Sequence, residues 1–246
     1  MEPDILYEDN HLLVVNKPAG LLIQGDSSGA PSLLDVVKAF IKKRDDKPGN
    51  VFIGMVHRLD RPVSGVVVLA KTSKAAGRLS AQIRNRTVKK LYVGLTCHNG
   101  RVGQSTGIWR KYRHFLIRPK DRTMVTHHLA PDSREGVLQL KTVLTTAHHA
   151  CHLIRLMTGR KHQIRAQLAH LDMPLCGDTH YGSKELFLQD AIALHAVSFE
   201  LLHPVKKHPL RITAPLPPWF AGYFPAKQVA SLEAKLQKDN GNAGNC

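Results

Sequence analysis

The 246-residue sequence predicts an α+β fold, a mixed, largely antiparallel central sheet with flanking helices and loops. Three observations predict it. Short segments in which apolar and polar residues alternate recur along the chain, the period of half-buried strands. One unbroken run, Val66-Val67-Val68-Leu69-Ala70, reads as a strand buried on both faces and therefore central. Between such segments lie stretches whose apolar residues return every three or four positions, the spacing of one helix face. A hydrophobic fraction of 43% supports one sizeable core. A single folded unit is expected over residues 1–224, followed by a polar tail, 225–246, expected to fray.

The elements follow in order. His11-Leu12-Leu13-Val14-Val15 is a short strand that runs into a turn at Lys17-Pro18-Ala19-Gly20. Ser32 with Asp35 forms a capping box for a helix carrying Leu33, Val36, Val37, Phe40 and Ile41, and Lys42, Lys43 and Arg44 suit its C-terminal end. After the central strand, Ser73 is expected to cap a helix with Ala75, Ala76, Leu79 and Ile83 on its apolar side. Strands are predicted at Leu91–Leu95, Val137–Lys141, His152–Leu156 and residues 194–201. Thr158-Gly159 introduces a helix with Ile164, Leu168 and Leu171 on one stripe. Residues 101–135 are the least orderly stretch.

Charge is the first functional clue, since 35 Lys and Arg against 19 Asp and Glu give a formal net charge of +16 and a sequence pI near 9.9. A polyanionic partner follows, and nucleic acid is favoured over lipid because no basic amphipathic helix with large apolar residues opposite is evident. No apolar run approaches the roughly 18 residues of a membrane span, and the start is neither a signal nor a transit peptide. The four cysteines, Cys97, Cys151, Cys176 and Cys246, are scattered and too sparse for a disulfide framework, so a reducing cytoplasm is the expected location. The 15 histidines, among them His127-His128, His148-His149 and His152, show no metal-ligand spacing, and no metal site is expected.

Two dense stretches carry the candidate chemistry. His57-Arg58-Leu59-Asp60-Arg61-Pro62 sets one carboxylate among basic side chains just before the buried strand; it reads either as a catalytic acid or as a structural ion pair. Thr158-Gly159-Arg160-Lys161-His162-Gln163-Ile164-Arg165 gathers cations at a helix start, where free N–H groups already favour anions. In the stretch 101–135, Arg110, Lys111 and Arg113 interleave with Trp109, Tyr112 and Phe115. That pattern suits an RNA-contacting insertion or, equally, a solvated loop whose aromatics reach back to the core.

His57 to Gly65 resembles the catalytic motif of the RluA-type pseudouridine synthases. Asn16-Lys17-Pro18-Ala19-Gly20 is similar to the first motif of that family, and Lys90-Leu91-Tyr92 to its tyrosine motif. Gly159 to Arg165, with Gly177-Asp178 and Tyr181-Gly182, resembles its third motif; Leu194-His195-Ala196 and His203-Pro204 also agree. The resemblance implies a cofactor-free isomerase in which Asp60 is the nucleophile, Tyr92 packs on a flipped target uracil and Arg165 pairs with Asp60. It implies that Arg58 fills the space the nucleotide leaves. RNA contacts are expected from Arg58, Arg61 and Lys90, from Arg160, Lys161 and His162, and from Arg110, Lys111 and Arg113.

The partner implied is structured RNA, ribosomal or transfer, acted on by a monomer with no obligatory protein partner. Val63 stands where the family usually has Thr and Gln167 where a His is common, and residues 101–150 show little resemblance. With no small RNA-binding domain ahead of Leu6, affinity is expected to come from the catalytic domain. The rival readings are a catalytically inactive RNA-binding or ribosome-assembly protein on the same fold, and a glycosidase, which lacks an evident second acid.

Overall fold

The computed structural model describes residues 2–27, 29–97, 107–126 and 129–238. The chain opens as a hairpin of β1 (Ile5–Glu8) on β2 (Leu12–Lys17), turned by Asp9, whose carboxylate accepts from the backbone N–H groups of His11 and Leu12. α1 (Leu33–Arg44) starts at the predicted capping box: Ser32 Oγ accepts from Asp35 N, and the Asp35 carboxylate accepts from Ser32 N. β3 (Gly54–Met55) and β4 (Ser64–Ala70) lead to α2 (Ser73–Arg84). Its cap is Thr72 rather than Ser73, because Thr72 holds the extended backbone a cap needs and its Oγ1 accepts from Ala75 N at 3.2 Å.

β5 (Lys89–Cys97) precedes the stretch expected to be irregular. Residues 101–106 and 127–128 fall outside the described residues, but β6 (Arg110–Ile117) and β7 (Met124–Thr126) are strands, and β6 pairs along seven residues with β8 (Arg134–Thr145). Alternation is present at Tyr112, His114 and Leu116 but muted by the polar His114, so the ladder with β8 decides the conformation. β9 (His149–Leu156), α3 (Gln163–His170), β10 (Leu194–Leu202) and β11 (Pro209–Thr213) follow.

The expectation of a frayed tail fails for α4 (Ala226–Lys238), where Leu232 and Leu236 are buried against a cluster that includes Phe220 and Phe224. Val229, Leu232 and Leu236 supply the apolar stripe of a helix stabilised by packing rather than by propensity. Residues 239–246 lie outside the described residues.

The strands form one sheet in the order β1-β2-β4-β10-β5-β9-β8-β6-β7, with β11 on β10 and β3 on β4. Among the described residues only β10 on β4 is parallel, so the sheet is mixed and largely antiparallel, as the sequence predicts. β10 lies between the start of β4 and the middle of β5, with Ala196 opposite both Gly65 and Tyr92. Gly65 has φ +113°, and a Cβ there would lie 2.2 Å from the Ala196 carbonyl oxygen, so no side chain fits this approach.

One face of the sheet carries a cluster that includes Leu138, Ile154, Leu194 and Tyr92 with α1 and α3; the reverse face carries Val93, Leu95, Phe220 and α4. Cys97 and Cys176, 79 residues apart in sequence, are brought together as a pair, their Cα atoms 5.6 Å apart. Cys151 is buried and free. No helix among the described residues is long and apolar enough to cross a membrane.

Candidate active site

Asp60 sits in the turn that feeds β4, closed by a hydrogen bond from Val63 N to Asp60 O at 3.0 Å. The next residues are fastened from outside: Arg61 O accepts from Gly20 N and Pro62 O accepts from Ile192 N. Lys17, fully buried at the end of β2, completes the hold. Its Nζ donates to Pro18 O and Leu21 O at 2.8 Å and to Arg61 O at 3.1 Å. Burial pushes this ammonium down to about 7 while the charge of Asp60 pulls it back up. Three carbonyl acceptors match the three N–H bonds of the charged form. Lys17 thus ties the Asp60 turn to the turn at Pro18-Ala19-Gly20, a role that sequence reasoning missed although the residue lies in a quoted motif.

Arg165 projects from α3, where it is buried. Its two-pronged contact is with Asp178, Nε to Oδ2 at 2.7 Å and Nη2 to Oδ1 at 2.8 Å, and its remaining nitrogen, Nη1, reaches Asp60 Oδ2 at 3.5 Å. Arg165 thus gives its two-pronged contact to the buried Asp178, 1% exposed, and a single nitrogen to Asp60. Tyr181 underlies the guanidinium, its ring 4.9 Å from Arg165 Cζ.

His162, just before α3 with φ +51°, shares a hydrogen bond between Nδ1 and the Tyr181 hydroxyl and lies 3.7 Å from Asp60 Oδ2. Burial pushes its imidazole down to about 4, against the opposing pull of Asp60. At neutral pH the ring is uncharged, and its approach to Asp60 is not an ion pair.

Asp60, His162 and Arg165 line a cleft of about 520 Å³ whose wall also holds Tyr92, Leu194, Val63 and Ile164. Among the described residues, seven Lys or Arg side chains border it, and Asp60 is the only carboxylate that does. Tyr92 is 7% exposed, and its hydroxyl is pushed well up by burial and then by the charge of Asp60, so the ring presents a neutral phenol. The site has the size of one nucleotide-like ligand, cations suited to phosphates and one carboxylate among them.

Residues 11–170 match the family described as RNA pseudouridylate synthase. The chain belongs to this family. Among its relatives, ribosomal large subunit pseudouridine synthase D of Xylella fastidiosa is 35% identical over 96% of this chain and 70% of its own length. Ribosomal large subunit pseudouridine synthase C of Buchnera aphidicola is 31% identical over 86% of this chain and 66% of its own length. The solved structure of human RNA pseudouridylate synthase domain containing 4 shares the fold, with a TM-score of 0.71 at 24% identity over 89% of this chain and 90% of that one. The protein is an isomerase, an RNA pseudouridine synthase.

The synthase brings together most of the residues expected from sequence. Asp60, Tyr92, Arg165, Arg58, Lys90, Arg160, Lys161 and His162 all border the cleft, joined by Arg84 and Arg86 from the end of α2, which the motifs did not mark. Arg61 turns away, donating from Nε to Gly20 O and lying 3.7 Å from Asp190. His57 is no cation: its Nε2 accepts from Val68 N, its ring packs on Phe199, and burial with the Lys90 charge pushes it well below the usual range.

Lys111 and Arg113 sit on the reverse face of the sheet, in a separate groove, and Arg110 borders neither space. Tyr112 packs on the cleft-face core, whereas Trp109 lies in the reverse groove under Arg155. Of the histidines, His152 hydrogen-bonds Thr96 and Thr142, and His127 and His128 lie outside the described residues. The ligand atoms of His149, Glu185, Cys97 and Cys176 lie within 4.8 Å of one another.

Proposed function

We propose that the synthase isomerises uridines in ribosomal RNA with Asp60 as its nucleophile, Tyr92 as the support of the flipped base and Arg165 as the group that positions the carboxylate. The observation that carries this reading is the lone carboxylate among the described residues that line the cleft, set among seven Lys or Arg side chains and sharing the wall with a neutral aromatic ring. Pseudouridine formation breaks the bond from ribose C1′ to uracil N1 and makes a bond from C1′ to C5; C5 loses a proton and N1 gains one. Atoms and electrons balance without a redox partner, so the residues present suffice. A carboxylate oxygen can attack C1′ or add to the pyrimidine ring, and both routes need it at the buried face of the base.

The target must leave its stack to reach Asp60, which is why an aromatic wall is required. The relatives are named for ribosomal large subunit RNA, which supports ribosomal over transfer RNA as substrate. The proposed working form is a monomer without an obligatory protein partner.

RNA carrying tritium at uridine C5 should release label to water in proportion to pseudouridine formed. Sustained binding with no release would favour the inactive RNA-binding reading. The ring of Tyr92 should act through its face. Tyr92→Phe is expected to keep the affinity for RNA, and Tyr92→Ala to weaken it by about 1 to 3 kcal/mol, the worth of one base–aromatic stack. Filter binding on folded protein checks this, and equal affinities for the two variants would remove the stacking role.

A further inference from the structure

The cleft is not the largest concavity of the molecule. On the reverse face of the sheet, behind Tyr92, a groove of about 1520 Å³ crosses β10, β5, β9, β8 and β6 and is bounded by α4. Five strands span roughly 19 Å at the usual spacing. Its lining holds ten Lys or Arg side chains and two carboxylates, Glu135 and Glu200. The chain as a whole carries fewer than two cations per acid, so the groove concentrates charge far beyond the average. Arg113 pairs with Glu135, and Lys89 and Arg211 pair with Glu200. Lys111, Lys141, Arg155, Lys227 and Lys235 have no carboxylate partner among the described residues.

The floor between these cations is apolar, with Leu91 and Leu153 on neighbouring strands. On it Arg155 sits over Trp109, the guanidinium carbon 4.0 Å from the ring centroid. A stacked guanidinium and indole present a planar surface that accepts the face of a base, and flanking Lys side chains suit phosphates. An acidic polypeptide would satisfy the cations but make no use of that plane.

The decisive feature is continuity. Arg86, Val88, Lys90, Leu156, Met157 and Thr158 border both the cleft and the groove, so the two spaces meet round one rim of the sheet. A nucleotide held in the cleft has flanking strand that must leave by some route, and this rim is a basic one.

We infer that the reverse-face groove binds single-stranded RNA flanking the target uridine, led round the rim at Arg86, Lys90 and Thr158. The inference rests on the functional reading above in taking RNA as the substrate, but its test is a binding measurement that does not need turnover. The groove lies behind the catalytic face, so it adds affinity and selects for flanking single strand without touching the reacting base. It also gives Lys111 and Arg113 an RNA-binding place other than the cleft.

The experiment compares Lys141→Gln with Arg155→Gln in one protein against Lys42→Gln with Lys43→Gln in another. Both double variants lose two charges, the first from the groove and the second from exposed positions on α1. The probe is a fluorescent 20-nucleotide oligouridylate, titrated at several salt concentrations. The groove pair should bind about tenfold more weakly, with a log–log salt slope smaller by about 1.4, two single-strand contacts. The α1 pair should match wild type within about twofold.

Equal behaviour of the two pairs would overturn the inference, as would displacement of polyglutamate from the groove with no loss of RNA affinity. Should the groove pair melt early, Lys111→Gln with Lys235→Gln replaces it under the same criteria. Tritium release by wild type on C5-labelled ribosomal RNA is followed in parallel. Its absence beside an intact groove effect would count against the proposed activity and leave the groove standing.

Discussion

Asp60→Asn should fold and melt as wild type does while forming pseudouridine on the order of 10⁴-fold more slowly or not at all. The amide keeps the shape of the carboxylate but neither attacks carbon nor stabilises positive charge on a sugar. Two features of the structure separate this result from a general loss of stability. Arg165 keeps its two-pronged contact to Asp178 when the Asp60 charge is gone, so this buried guanidinium stays paired. The turn that carries Asp60 is held through backbone atoms, by Gly20, Lys17 and Ile192, none of which involves the altered side chain. Melting temperature, affinity for RNA and pseudouridine yield on one preparation decide the matter. A folded variant with measurable turnover would exclude Asp60 as an essential nucleophile, and a variant that fails to fold would return it to the role of a structural ion-pair partner.

Asp178→Ala, in contrast, should cost about 3 to 5 kcal/mol of stability and lower the melting temperature by roughly 10 °C. Both partners of this ion pair are withdrawn from water, 8% and 1% exposed, so removing the carboxylate leaves the guanidinium buried with Asp60 only 3.5 Å away as its remaining acid. Turnover should fall too, because the arginine that faces Asp60 is then free to shift toward it. Thermal denaturation by circular dichroism measures the first effect. A stability loss below about 1 kcal/mol combined with a large loss of turnover would mean that Arg165 re-pairs fully with Asp60, making Asp178 a positioning residue alone.

The legible part of the fold was the part written in short-range patterns. The capping box of Ser32 and Asp35, the helix faces that begin near Ser73 and Gln163, and the fully buried run at Val66 are each encoded within a few residues. The illegible parts depend on partners distant in sequence. β6 carries charge at Arg110, Lys111 and Arg113 and becomes a strand because β8 completes its hydrogen bonds. α4 looks like polar tail until Leu232 and Leu236 meet Phe220 and Phe224. β11 is a five-residue strand set by its register on β10.

The candidate site divides the same way. The sequence by itself determined the residue types of the chemistry, an aspartate, a tyrosine and an arginine in motifs resembling those of one enzyme family, and a charge that demands a polyanion. Only the tertiary structure decided what those side chains face. It set Asp178 rather than Asp60 in the fork of Arg165, turned Arg61 toward Gly20 and buried His57 as an acceptor for Val68. It also sent Lys111 and Arg113 to the reverse of the sheet, away from Asp60. The physical reason is that a strand exchanges its faces with every one-residue step. Register against β8, β9 and β10, fixed by hydrogen bonds to segments tens of residues away, therefore chooses the side on which each cation stands.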